Sequence, residues 1–262
     1  MSTATSGVSN AVPELLLRTT PPRAPRHLLA RPRLGLDDEQ FRERSLTVVQ
    51  APAGFGKTSL LAQWRREHLA RGAAVAWISA DASEDPLRFL LSLVLAVRGG
   101  CGRPNFGRGL YDGATSSLGE LEGITAWLAE VAHLALELVL VVDEAERLAP
   151  SRFEGLSYLI HNAPPNLRVV VAARGGLDPV FADLAAYGQC AAVGTEQLRF
   201  RIDETLNLVR ARFGKRVDAD ACARLHDITE GWPLGLQIAL AALERAPDPC
   251  LAIDAMFARG RG

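Results

Sequence analysis

The stretch Ala51–Ser59, APAGFGKTS, constrains this chain more than any other. An apolar run, Leu46–Gln50, precedes it and a helix-like segment, Leu60–Leu69, follows. Strand, glycine loop and helix in that order is the layout of a phosphate-binding loop. Gly54 and Gly56 allow successive backbone N–H groups to converge on an anion that side chains would block. The helix that follows points its positive end at the same anion. Ala53, Gly54, Phe55, Gly56, Lys57, Thr58 and Ser59 are therefore the expected phosphate-binding residues. Lys57 supplies a compact charge for β- and γ-phosphates, and Thr58 a hydroxyl for Mg²⁺. Ala51 stands where the usual pattern has its first glycine. The plain alternative is a Gly-rich turn that opens a helix and binds nothing.

Composition narrows the class without naming a function. A chain of 262 residues with 48% hydrophobic content and net charge −1 has ample length for a core. It shows no global pull toward nucleic acid or membrane. Only Lys57 and Lys215 are lysines among 29 basic residues, so a lysine at the loop marks a site that favours an ammonium over a guanidinium. The four cysteines are scattered without a C-x-x-C pair, which argues against a disulfide framework or zinc site and fits a reducing cytoplasm. No apolar run approaches membrane-spanning length, and no leader pattern opens the chain.

Read in order, residues 1–14 are expected to be a disordered tail. The Arg/Pro-rich lead-in that follows (residues 15–45) is expected to lie extended over a surface. It holds seven arginines between Arg18 and Arg44, yet it lacks the interleaved aromatics of a nucleic-acid arm. Strand candidates after the loop are Ala74–Ser79, Leu136–Val142, Arg168–Ala173 and Gln189–Val193, separated by helix-like Pro86–Val97, Leu118–Ala135, Arg152–His161 and Pro179–Tyr187. That alternation predicts an α/β fold with a parallel sheet sandwiched by helices, spanning residues 15–200. Gly99–Ser117 reads as a long loop. From Asp203 the pattern turns helical (Asp203–Phe213, Asp218–Thr229, Pro233–Glu244), with Asp203 and Asp218 as candidate N-caps. This predicts an all-helical subdomain over 201–245 and leaves 246–262 as a tail or the start of a further element.

A second constellation completes the first. The strand ending at Val142 delivers Asp143 and Glu144, placing one acid to hold Mg²⁺ across from Thr58 and a second to polarise an attacking water. An acidic helix cap after a core strand is the alternative. If Arg168–Ala173 fills a gap between the loop's strand and the acid's strand, Arg174 at its end faces a γ-phosphate. A surface arginine at a strand end is the dull reading there. Gly231-Trp232-Pro233 alone is ordinary helix-start chemistry.

Taken together, PRAPRHLLARPRL, LTVVQAPAGFGKTSLLAQW, VAWISADASEDPLRFL, LVLVVDEAERL, HNAPPNLRVVVAAR, LRF and TEGWPLGLQIA resemble the STAND class of signal-transduction P-loop ATPases, of ASCE/AAA-like fold. Within that class they resemble the nucleotide-binding module of large LuxR-type, MalT-like transcription regulators. The resemblance implies ATP/ADP with Mg²⁺, an ADP-bound resting state and self-association in the ATP state. It also implies Arg31 near the base, Pro233 packed near the adenine, and Arg174 as γ-phosphate sensor. The family's usual Asp-Asp-aromatic-His is replaced by Asp143-Glu144-Ala145-Glu146. The family's DNA-binding helix-turn-helix has no counterpart in these residues. A small-molecule kinase, with Gly99–Ser117 and its Arg103 and Arg108 as a lid, and a module that binds no nucleotide are the competing readings.

Overall fold

The computed structural model describes residues 13–23, 29–41, 44–82, 85–111, 119–176 and 181–259. Residues 1–12 of the tail expected at 1–14 and residues 112–117 of the expected loop lie outside them, while Pro13 and Glu14, expected in that tail, open a helical stretch.

Five strands form one sheet: β1 (Leu46–Gln50), β2 (Ala74–Ser79), β3 (Leu138–Asp143), β4 (Leu167–Ala173) and β5 (Cys190–Val193). Every pairing is parallel and the order is β2-β3-β4-β1-β5. β4 therefore fills the gap between the loop's strand and the acid's strand, as the sequence predicts. The strands are apolar throughout because both faces are covered. Leu138, Leu140 and Val142 of β3 enter one hydrophobic cluster, and Val139 and Val141 enter another. Helix α1 (Lys57–Ala70) covers the second face, with Leu60, Leu61 and Trp64 buried among lead-in residues Leu34, Leu36 and Phe41. The Trp64 indole N–H donates to the Leu34 carbonyl at 2.6 Å, pinning the lead-in to α1. On the opposite face lie α2 (Pro86–Cys101), α3 (Glu120–Ala132) and α4 (Pro150–His161).

After a short turn at Thr195–Leu198, four helices follow: α5 (Ile202–Phe213), α6 (Ala219–Thr229), α7 (Pro233–Leu243) and α8 (Pro249–Arg259). They share a cluster built on Leu208, Val209, Leu225, Leu236, Leu240 and Ile253. The segment from Ala246, expected to lack a finishing element, thus supplies a helix; α8 buries Ile253 and pairs Asp254 with Arg224 of α6 at 2.8 Å.

Two local expectations are corrected. Asp218 caps α6, accepting from the Ala221 N–H at 2.7 Å, but Asp203 caps nothing, because α5 begins one residue earlier. Arg201 holds the cap position, and Glu204 reaches back to its N–H at 2.9 Å, so the third-position acid fixes the start. Gly99–Cys101 continue α2, and Arg108–Tyr111 form a further helical turn, so the expected long loop is shorter than its composition suggests. No helix among the described residues is long and apolar enough to cross a membrane.

Candidate nucleotide site

The phosphate loop lies between β1 and α1 at the carboxyl edge of the sheet, where an open parallel sheet leaves its ligand crevice. Gly54 and Gly56 both take left-handed backbone angles, φ 83° and 82°. Ala51 does not need one: its N–H stays on the Ala173 carbonyl at 3.2 Å, prolonging the β1–β4 pairing, so alanine fits where the common pattern has glycine. Gly54 is required for a second reason. A Cβ there would lie 2.9 Å from the Leu234 side chain and 3.0 Å from the Trp232 indole nitrogen. The helical part of the chain presses on the loop at this point, and the Leu234 N–H donates to the Gly54 carbonyl at 3.0 Å.

Directly beside the loop, Thr58 Oγ1 donates to Asp143 Oδ2 at 2.9 Å. The Asp143 carboxylate is buried and oriented by the Glu144 N–H on Oδ1 at 2.9 Å. Burial pushes its pKa up, against those two hydrogen bonds and the charge of Lys57, with which it forms no ion pair. Lys57 turns its ammonium onto the carbonyls of Ala51 (2.6 Å) and Pro52 (3.1 Å), and burial holds its pKa below the usual lysine value. Two oxygen donors in contact fit Mg²⁺, a hard cation that takes few protein ligands and keeps water or phosphate for the rest.

Glu144 adopts φ 56°, uncommon for a residue with a side chain, and its carboxylate lies 3.5 Å from Arg147. Arg174, at the end of β4, pairs its Nε with Glu146 at 2.9 Å. Glu144, Glu146 and Arg174 share one cavity of about 580 Å³ with the loop residues Ala53, Gly54, Gly56, Lys57, Thr58 and Ser59 and with Asp143, Pro233, Leu234 and Phe200. Phe55, expected with the loop, stacks outside the cavity lining, under the Arg199 guanidinium at 5.6 Å and beside Trp232 at 6.5 Å. Pro233 abuts the loop at Gly56.

Arg31 lines the same cavity, but its guanidinium is committed elsewhere. It bonds Glu204 at 3.2 Å and the carbonyls of Gln197, Leu198 and Arg199, and lies over the Phe200 ring. Arg33 joins the same carboxylate at 3.0 Å. Burial alone would raise the Glu204 pKa; hydrogen bonds from Arg33, the Arg201 N–H and Arg31 outweigh it and leave the carboxyl below its ordinary value. Sequence reasoning singled out neither Arg33, Glu204, Phe200 nor Glu146. Only the Glu204 capping spacing carried a readable signal. The lid candidates Arg103 and Arg108 do not line the cavity.

Residues 39–181 match the AAA domain family. The chain is 31% identical over 212 residues to serine/threonine-protein kinase PknK of Mycobacterium tuberculosis, covering 78% of this chain and 19% of that protein. It is 31% identical over 199 residues to the HTH-type transcriptional regulator MalT of Vibrio cholerae, covering 74% of this chain and 21% of that one. The chain thus spans about a fifth of the length of the curated relatives it matches. Among solved structures, the Aeropyrum pernix ORC1 protein in complex with DNA aligns over 94% of this chain and 69% of its own, with TM-score 0.51 at 16% identity. That likeness concerns the fold alone.

Proposed function

We propose, for a chain that belongs to the AAA domain family of P-loop ATPases, that it is an ATP-binding switch that hydrolyses slowly. The observation that carries the reading is the Thr58–Asp143 contact at 2.9 Å beside a glycine loop with two left-handed residues. Lys57 releases its two loop carbonyls to meet phosphate oxygens, while the loop N–H groups and the N-terminus of α1 hold the anion. Thr58 and Asp143 hold Mg²⁺, which supplies charge neutralisation on the phosphates when bound. Glu144 orients a water, and Arg174 is the group placed to register the γ-phosphate.

On this reading residues 15–200 are the nucleotide-binding unit and the helices from 201 are the part that responds. Leu234, hydrogen-bonded to Gly54, and Pro233 beside Gly56 join the two. Nucleotide shifts the balance of states only by contacting them differently, and this seam is where such a difference would be felt. The likeness to MalT proteins supports a place in a LuxR-type signal-transduction regulator acting in the cytoplasm, with self-association in the ATP state. The kinase alternative has no support from the cavity, since its candidate arginines stand away from it.

Thermal stabilisation by ADP or Mg·ATP, abolished in Lys57→Ala, is the expected result. Slow loss of the γ-phosphate to water with ADP retained should accompany it. Fast multiple-turnover hydrolysis by the chain would contradict a switch, and phosphoryl transfer to a metabolite would favour the kinase.

A further inference from the structure

Glu146 has no part in holding a nucleotide as described above, yet its carboxylate lies in the same cavity. It sits on the short 3-10 turn Ala145–Arg147 that follows β3. Both of its oxygens are used. Oε1 faces Arg174 Nε at 2.9 Å, and Oε2 accepts the Arg174 backbone N–H at 3.1 Å. The backbone bond does not depend on where the Arg174 side chain points. The carboxylate is therefore fixed to the end of β4 whether the guanidinium stays or leaves. Exposure differs in the same sense: the Arg174 side chain is 55% exposed, that of Glu146 only 21%. The more exposed member of the pair is the cation.

We infer that Glu146 is a positioning residue that competes with the terminal phosphate for Arg174, tilting the site from nucleoside triphosphate toward nucleoside diphosphate. The inference rests on reading the cavity as a nucleoside-phosphate site. Its physical basis is charge. The cavity already sets Asp143, Glu144 and Glu146 against Lys57 and Arg174 at this end. Against burial, the charge of Glu146 also favours the Lys57 ammonium. The anionic group that distinguishes a triphosphate from a diphosphate must share Arg174 with Glu146 or draw it away. In either case Glu146 gives up part of its ion pair with Arg174 to the phosphate, a cost that exists only while both side chains are charged. A diphosphate, which leaves that pair in place, incurs less of it. Because Arg174 is half exposed, solvent screens the effect to a modest size.

The test is the ratio of ATP to ADP affinity, by calorimetric titration of the whole chain with Mg²⁺ present. In Glu146→Gln the amide oxygen still accepts the Arg174 N–H, so the turn keeps its anchor while the charge is gone. ATP affinity relative to ADP is expected to rise about three- to tenfold, the scale of one screened charge. Glu146→Asp, which keeps the charge, should stay near the wild-type ratio. The gain from Glu146→Gln should vanish in the Arg174→Gln background, an outcome that mere disturbance of the turn would not give. An unchanged or lowered ratio in Glu146→Gln, or a gain that persists without Arg174, overturns the inference while leaving the nucleotide site intact. Failure of the wild-type chain to bind either nucleotide overturns both readings.

Discussion

Two buried carboxylates stand in different parts of this molecule, and their surroundings are opposite. Asp143, at the end of β3, is buried with a hydroxyl and a backbone N–H as hydrogen-bond partners and no paired cation, and its pKa is raised. Glu204, at the start of α5, is buried between Arg31 and Arg33, and its pKa is lowered. The first region is short of positive charge and suits an incoming cation. The second has two guanidiniums on one acid. It ties the lead-in to the carbonyls of residues 197–199 and to α5.

The comparison breaks most directly at Glu204. Glu204→Ala leaves two arginines facing each other without their shared anion, and loss of about 3–5 kcal/mol is expected. Chemical denaturation at pH 7 should show it, with nucleotide affinity per folded molecule changed far less. The pH sense follows from the lowered pKa. The Glu204 contribution is full above the unfolded value of 4.5 and fades as pH falls through the folded one.

Lys57→Ala should leave the unliganded chain's melting point near wild type. It should abolish the gain from nucleotide, a gain of about 2.7 kcal/mol at a hundredfold excess over Kd. Gly54→Ala tests the seam between the two regions. A Cβ 2.9 Å from Leu234 on a residue at φ 83° should cost about 1–2 kcal/mol and weaken nucleotide binding together.

A small stability change is also expected at Asp143. Asp143→Asn removes a buried charge that has no ion pair, so the unliganded chain should be as stable as wild type, or more stable by about 1 kcal/mol. Asp143's raised pKa gives the reverse pH sense to Glu204. Its cost is present above the folded pKa and is relieved as pH falls through that value, so any advantage of Asp143→Asn should shrink on acidification. A variant markedly less stable at neutral pH would undo the contrast.

How far the sequence revealed these two regions follows from their geometry. The loop, its strand, the acid on β3 and the intervening β4 were all legible, because each is a local pattern and the sheet order follows from which strand carries which end. Arg174 was legible as a strand end, but its partner Glu146 was not, since a 3-10 turn leaves no periodic trace. Arg31 does line the cavity, but its clamp was not legible: its partner Glu204 lies 173 residues away, and nothing local announces the pair. Asp203 misled for a related reason: aspartate is a good cap by type, but Glu204 had already fixed where α5 starts.

The most direct measurement of the central claim is ATP affinity with and without Mg²⁺, in wild type and in Asp143→Asn. Cation bridging at Thr58 and Asp143 predicts that Mg²⁺ tightens wild-type binding by about tenfold or more, and that the variant loses most of that response. Equal Mg²⁺ responses in the two proteins, or none in wild type, would contradict it.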